Sequence, residues 1–242
     1  MTVLALSGLR GGVGTTSMVA ALGFALRLLG ERVLLLDLCP RNLLRLHCNL
    51  ALEAPEGWAR AELDGGAWSE PLLQVVGELY LLPHGRLGGV ELAALNQRVQ
   101  AAADFWPQRL QQLRRHFDWI LLDLPAALPG QSAPALGEEV RRLRVIEADA
   151  ACHALLSLEG EGEGPLLLNR FDPISQLQRD LLLLWRERLD GRLAPQVVHR
   201  DEAMAGALAW KSPLGYYAGD SLAAQDVRSL ATWCMAQWGA AR

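Results

Sequence analysis

A glycine-rich segment near the beginning of the chain has the composition of a phosphate-binding loop. It lies between an apolar run at residues 3–7 and a stretch with helical apolar spacing at residues 16–29. In that context backbone N–H groups and a helix N-terminus converge on one anion, and glycines let the main chain approach the phosphates. The candidate cofactor-binding residues of this segment are Arg10, Gly11, Gly12, Val13, Gly14, Thr15, Thr16 and Ser17.

The segment lacks the lysine that usually grips the phosphates. A phosphate loop of the common type reads G-x-x-x-x-G-K-[ST], and aligning its second glycine with Gly14 places Thr15 at the lysine position. Lys211 is the only lysine of the chain and lies far from the loop in sequence. Because a charge-assisted contact is worth about 1.5–3 kcal/mol, we expect weaker phosphate contacts here. Thr16 remains a candidate magnesium ligand through its hydroxyl.

Two aspartates close apolar runs that read as buried parallel strands. Asp37 ends residues 32–37 and Asp123 ends residues 119–123, so both carboxyl groups are expected at the carboxyl edge of the sheet, where ligands bind. Together with Thr16 they form the predicted magnesium site, and Asp37 is also the catalytic candidate. The alternative role for either acid is that of a helix N-cap.

The same glycines leave a dinucleotide-binding turn open as an alternative. Gly12-Val13-Gly14 begins a G-x-G-x-x-G pattern, but Ser17 occupies the position of the third glycine. The acid that would bind a ribose is also missing unless Asp37 has that role. The segment therefore favours the phosphate loop over the dinucleotide turn.

Strand-like and helix-like segments alternate along the chain, which predicts an α/β fold. We expect one domain, 1–242, with a doubly wound, mostly parallel sheet of about seven strands and helices on both faces. The predicted strands are 3–7, 32–37, 79–82, 119–123, 144–148, 166–169 and 195–198. The predicted helices are 16–29, 92–117 with a break near Pro107, 175–189 and 221–238.

Composition narrows the class of protein. The chain of 242 residues is 51% hydrophobic and 21% charged with a net charge of −4, which indicates a packed core and disfavours nucleic acid as a partner. Its four cysteines form no CxxC pair, as expected of reduced thiols in a cytoplasmic protein. No basic region precedes the first apolar run, so a signal peptide is not expected. The acidic segment 159–164 is predicted to be a solvated turn.

The loop resembles the variant K-G-G-x-G-K-[ST] of the MinD/ParA family of P-loop ATPases. In that family the first, signature lysine reaches across a dimer to the partner's nucleotide, and Arg10 occupies its position here. Arg10 is therefore expected to restore part of the missing charge, in cis or in trans. The family generally has D-x-D at the second strand, where the second aspartate orients the attacking water. This chain has Asp37-Leu38-Cys39, and a neutral thiol is a poor group for that task.

Two later segments resemble the base-side elements of the same family. Asn169-Arg170 resembles its adenine-reading pair, and an asparagine amide has both a donor and an acceptor to offer adenine. Residues 195–203 resemble the second base-side loop. The resemblance therefore adds Asn169, Arg170, His199 and Asp201 to the candidate ATP-binding residues.

The combination of motifs is similar to the BcsQ family, the MinD/ParA-type accessory proteins of bacterial cellulose secretion. The similar segments are 10–16, 37–40, 42–46, 57–61 and 199–204. This resemblance implies ATP and Mg²⁺ as cofactors, an ATP-sandwiched homodimer with impaired hydrolysis, and a small BcsR-like partner. It also implies recruitment to the cellulose synthase complex at the inner face of the inner membrane. The alternative is an active MinD/ParA-type positioning ATPase that acts on a membrane or on DNA.

Overall fold

A seven-stranded sheet forms the centre of the protein. The computed structural model describes residues 1–126, 135–159, 164–189 and 191–239. The strands are β1 (Thr2–Gly8), β2 (Val33–Asp37), β3 (Leu73–Val76), β4 (Leu79–Leu82), β5 (Trp119–Asp123), β6 (Arg141–Glu147) and β7 (Leu166–Asn169). They lie in the order β3-β4-β2-β5-β1-β6-β7, and each neighbouring pair is parallel except β3–β4. The predicted mostly parallel sheet is confirmed.

Helices cover both faces of this sheet. They are α1 (Thr15–Leu28), α2 (Trp58–Asp64), α3 (Gly89–Ala101), α4 (Phe105–Leu113), α5 (Ala150–Glu159), α6 (Gln176–Arg188), α7 (Glu202–Ala209), α8 (Leu214–Tyr217) and α9 (Leu222–Trp238), with a 3₁₀ helix at Leu44–Cys48. Side chains alternate between the faces along each strand, so Leu4 packs in one core with Met18 of α1. Val3 packs in the other core with Trp106 of α4. The two cores confirm the doubly wound arrangement.

The predicted last strand, residues 195–198, is wrong. Ala194 N donates to Leu166 O at 2.8 Å and Val198 N donates to Leu168 O at 2.9 Å. Between these two hydrogen bonds this chain segment advances by four residues while β7 advances by two. The segment therefore bulges at Pro195, which has no N–H to donate. The seventh strand is instead β3, a short antiparallel edge strand. It was not predicted because Gln74 interrupts its apolar run and its four residues are exposed or only partly buried.

The predicted helix 92–117 is divided, but not at the proline. The break between α3 and α4 lies at residues 102–104, and Pro107 falls in the first turn of α4. An N–H in the first turn has no partner within the helix, so proline is tolerated there. The predicted acidic turn at residues 159–164 lies mostly outside the described residues.

Candidate functional site

The glycine-rich segment joins β1 directly to α1. Gly14 caps α1 with a left-handed backbone (φ 88°) and contributes no side-chain hydrogen bond to the first turn. Gly12 has a similar conformation, with φ 84°. A Cβ atom on Gly14 would lie 2.6 Å from Asn169 Nδ2, so this position needs glycine for both its backbone angle and its space. The N–H groups of the first helical turn are thereby left for a bound anion.

Three side chains hold three successive carbonyl groups of this loop. Arg10 Nη1 donates to Gly11 O, Arg170 Nη1 donates to Gly12 O and Asn169 Nδ2 donates to Val13 O, each at 2.8 Å. Asn169 is buried, whereas the Arg170 side chain is 49% exposed. Asn169 and Arg170 were predicted at the site from the sequence, but their contacts with the loop itself were not.

Arg10 forms ion pairs with acids of its own chain. Its Nη2 lies 3.1 Å from Glu147 Oε2 and also donates to Asp149. The hydrogen bond that Arg10 donates to Asp149 is the main cause that raises the pKa of Arg10 above its usual value. Arg170 Nη1 lies 3.8 Å from the same Glu147 oxygen. Acids of the same chain therefore offset the positive charge of Arg10, so Arg10 does not simply replace the lysine that the loop lacks.

Asp37 and Asp123 lie side by side at the carboxyl edge of the sheet, as predicted. They are register partners in β2 and β5, and both are almost completely buried. Burial, followed by the charge of Asp123, raises the pKa of Asp37 well above its usual value. Burial raises the pKa of Asp123 to about 7, and the nearby Thr16 hydroxyl lowers it in part. This edge therefore concentrates acidic groups that are costly to ionise without a cation.

The unpaired oxygens at this edge fit a magnesium ion. Asp37 Oδ1 accepts from Cys39 N at 2.9 Å. Asp37 Oδ2 and both Asp123 oxygens form no hydrogen bond of normal geometry in the described part of the chain, although the Thr16 hydroxyl is near enough to lower the pKa of Asp123. No cluster of three or more His, Cys, Asp or Glu side chains suited to a metal occurs among the described residues. The donor set is two carboxylates and the Thr16 hydroxyl, so phosphate oxygens and water would complete the shell, as Mg²⁺ prefers.

Cys39 lies beside the acids as a neutral thiol. Burial raises its pKa to about 11, so it does not ionise near neutral pH and has no charge with which to polarise a water molecule. All four cysteines are free thiols, as predicted.

The two predicted residues of the second base-side loop have structural partners. His199 Nδ1 and His199 N both lie 2.9 Å from Asp226 Oδ2 in α9. Asp201 is the N-cap of α7, with Oδ1 accepting from Ala203 N at 2.9 Å and Oδ2 accepting from Ala223 N at 3.1 Å. Both oxygens of Asp201 are therefore occupied in linking α7 to the start of α9.

Two buried basic residues near the site, Arg45 and His47, were not predicted from the sequence. His47 Nε2 lies 3.3 Å from Ser17 Oγ at the start of α1, and burial lowers the pKa of His47 to about 4. Arg45 is 2% exposed and donates to the carbonyl of Ala54. Both belong to the 3₁₀ helix, whose five residues are too few to give a periodic signal in the sequence.

Solved structures with the same fold define the class of protein. MinD of Aquifex aeolicus superposes with a TM-score of 0.75 at 20% identity, covering 98% of both chains. The septum site-determining protein MinD of Pyrococcus horikoshii OT3, complexed with Mg-ADP, gives 0.72 at 20% identity, covering 95% of this chain and 94% of that one. Cobyrinic acid a,c-diamide synthase of Mycobacterium smegmatis, with a bound ATP analogue and magnesium, gives 0.75 at 22% identity, covering 100% and 97%. The chain has the P-loop fold of the MinD/ParA type.

Sequence comparison then gives the particular family. The profile of the cellulose biosynthesis protein BcsQ matches residues 1–235. BcsQ of Escherichia coli (strain K12) is 42% identical over 238 residues, which cover 97% of this chain and 94% of that protein. The Salmonella typhi protein is also 42% identical over the same shares. The chain belongs to the BcsQ family, which favours the phosphate-loop interpretation over the dinucleotide one.

Proposed function

We propose that this chain binds ATP with Mg²⁺ and serves as a nucleotide-loaded scaffold of the cellulose secretion machinery, with little or no hydrolysis. One observation supports the nucleotide site above others. Buried carboxylate oxygens of Asp37 and Asp123 that form no hydrogen bond of normal geometry lie next to Thr16. Beside them the glycine loop leads into α1, whose first turn has no side-chain cap. Buried acids of this kind are retained at a cost in stability, which a bound cation offsets.

Each group in the site has a distinct task in this proposal. Backbone N–H groups of the loop and of the first turn of α1 bind the phosphate oxygens. Thr16, Asp37 and Asp123 hold the magnesium ion, which neutralises phosphate charge when it is bound. These contacts position the triphosphate without any lysine, so the main chain and the metal supply the attraction that a lysine gives elsewhere.

The same site is poorly equipped to hydrolyse the nucleotide. Thr15 offers a hydroxyl but no charge to the transition state. Cys39, with its pKa raised to about 11, is a weak acceptor for orienting an attacking water. Arg10 is paired with Glu147 and Asp149, so any role across a dimer requires that these ion pairs break. We therefore propose binding without rapid turnover.

Partners follow from family membership and stay within the proposal. BcsQ proteins are named for cellulose biosynthesis, and we propose an ATP-dependent homodimer, a small BcsR-like subunit, and contact with the cellulose synthase complex at the inner membrane. The proposed route of recruitment is through protein contacts with that complex. None of the described helices has the length and hydropathy needed to cross a bilayer. The second candidate function is an active positioning ATPase, and the fold that this chain shares with MinD supports it.

Calorimetry with ATP and Mg²⁺ tests the binding site, with Asp123→Asn as the site variant. Asp118→Asn is its matched control, because Asp118 precedes the same strand at the opposite edge and accepts from Arg32 N at 2.8 Å. We expect Mg²⁺-dependent binding by the wild type and the control, and at least about tenfold weaker binding by Asp123→Asn. Equal binding by all three proteins would contradict the proposed metal site.

Turnover and assembly are measured on the same preparations. Phosphate release at saturating ATP is expected to be far slower than the usual range of about 1–10³ s⁻¹, and light scattering is expected to show a dimer with ATP and a monomer without it. Brisk Mg²⁺-dependent hydrolysis, or ATP-dependent binding to protein-free anionic vesicles, would instead favour the positioning ATPase.

A further inference from the structure

We infer that Trp58 is a positioning residue for Asp37, so that the magnesium site depends on a side chain that does not itself bind the metal. This inference rests on the proposed nucleotide and metal site. Its basis is a buried hydrogen bond in which Trp58 Nε1 donates to the main-chain oxygen of Asp37 at 2.7 Å. Trp58 is 3% exposed and is the first residue of α2. It belongs to segment 57–61, which lies outside both the phosphate loop and the carboxylate pair.

The main-chain oxygen of Asp37 lies just past the β2–β4 ladder, which ends one residue earlier. On the other side of the same peptide group, Leu38 N donates to Asp123 O at 3.0 Å. A trans peptide is planar, and its C=O and N–H point in opposite directions. Trp58 and β5 therefore hold the peptide between Asp37 and Leu38 from both sides.

The position of this peptide group governs the direction of the Asp37 carboxylate. Asp37 Oδ1 accepts from Cys39 N at 2.9 Å, so the carboxylate is tied to the turn that begins at the held peptide. Asp37 Oδ2 forms no hydrogen bond of normal geometry in the described part of the chain, and it is the oxygen offered to the proposed magnesium ion. Because Mg²⁺ requires near-ideal octahedral geometry, a displaced carboxylate binds it more weakly.

Trp58 is itself held firmly by its surroundings. Trp58 N donates to Pro83 O at 3.0 Å, which ties the start of α2 to the chain that leaves β4. The indole meets Trp106 edge to face, with ring centroids 4.7 Å apart. A Cβ on the preceding Gly57 would lie 2.1 Å from Gly85 N, so the two chain segments cross in close contact. The indole N–H is therefore presented to Asp37 from a rigid base.

A purely structural role for Trp58 makes a different prediction. A buried indole N–H needs an acceptor, and the oxygen of Asp37 would then serve only to satisfy it. Loss of that bond would lower the stability of the fold without affecting magnesium more than any other ligand. A positioning role instead predicts a loss that is specific to magnesium.

ATP binding is measured by calorimetry with Mg²⁺ and again in EDTA, and the ratio of the two affinities is the magnesium factor. The proteins are the wild type, Trp58→Phe and Trp106→Phe. Trp58→Phe keeps an aromatic ring and removes the N–H donor. Trp106→Phe is the matched control, because it replaces an indole of the same buried cluster that is 2% exposed. The melting temperature of each ligand-free protein reports any general loss of stability.

We expect Trp58→Phe to lower the magnesium factor by about fivefold, the effect of one lost hydrogen bond. Its affinity for ATP in EDTA should stay within about twofold of wild type, and Trp106→Phe should keep both values within about twofold.

A second measurement uses the indole ¹⁵N–H signals of the wild type. The Trp58 signal is assigned by its loss in Trp58→Phe or, if that variant does not fold, by elimination with the other Trp→Phe variants. We expect it to shift when Mg²⁺ is added to the ATP-bound protein. The signal of Trp210, which is 73% exposed, should stay in place.

Equal losses of ATP affinity with Mg²⁺ and in EDTA for Trp58→Phe would overturn the inference, and so would the same fall in the magnesium factor for Trp106→Phe. A Trp58 signal that ignores Mg²⁺ would overturn it as well. If the wild type binds ATP no better with Mg²⁺ than in EDTA, or does not bind ATP, the proposed site itself fails and the inference with it. The wild type alone reveals those outcomes, which separates them from failure of the role of Trp58.

Discussion

Replacing Asp123 by asparagine is expected to stabilise the protein free of metal and nucleotide, even though it removes a predicted magnesium ligand. Burial raises the pKa of Asp123 from 3.8 to about 7. Between these two values the folded protein keeps a proton that the unfolded chain has released. The free energy of unfolding therefore falls as the pH rises through this window. Asparagine does not ionise, so the variant avoids this loss.

The size of the effect follows from the pKa. One pKa unit corresponds to 1.36 kcal/mol, and the interval from pH 5 to the folded pKa near 7 spans two units. The stability of Asp123→Asn relative to wild type should therefore rise by about 2–3 kcal/mol between pH 5 and pH 8. Asp37, whose pKa is also raised, likewise lowers the stability of the wild type as the pH rises. This effect is smaller in Asp123→Asn, because the charge of Asp123 no longer raises the pKa of Asp37.

Urea unfolding at pH 5, 6.5 and 8 in EDTA measures this difference. Buried His47 and His84 have lowered pKa values, so their contribution to stability grows as pH rises, but it is the same in both proteins and cancels in the comparison. Asp118→Asn is the control and should show no such gain. A stability difference between Asp123→Asn and wild type that stays constant across this pH range would refute the reasoning.

Three further predictions concern the loop and its surroundings. Cys39→Asp should raise ATP hydrolysis at least about tenfold by supplying a charged acceptor for water, whereas Cys39→Ser should not; phosphate release measures this, and unchanged rates would contradict it. Asp149→Asn keeps an oxygen that caps α5 but removes an ion pair of Arg10, so ATP-dependent self-association should tighten by about fivefold if Arg10 acts across a dimer, as sedimentation would show. Asp201→Ala should cost about 1–2 kcal/mol in urea unfolding through loss of the α7 cap without changing ATP affinity, and a loss of ATP affinity would instead support the predicted role of Asp201 in binding.

Features encoded by neighbouring residues were predictable from the sequence. Apolar runs ending in acids gave β2 and β5, and the glycine spacing gave the loop before α1. Because parallel strands end at one edge, the proximity of Asp37 and Asp123 also followed from the pattern alone. Ser221 and Ser175 were predicted near helix starts, and both are N-caps in the structure. The edge strand β3 was not predicted because Gln74 interrupts its apolar run, and the 3₁₀ helix was not predicted because five residues are too few for a period to emerge.

The sequence by itself determined that a glycine loop, a hydroxyl and two acids meet at the carboxyl edge of a parallel sheet. Each motif consists of neighbouring residues, and parallel strands all end at the same edge. Only the tertiary structure decided what Arg10, Asn169 and Arg170 do, because their partners lie on strands and loops far away in the chain. Distances between such residues depend on how β6 and β7 align beside β1. The raised pKa values of the acids likewise arise from burial by the whole fold, which no short stretch of sequence records.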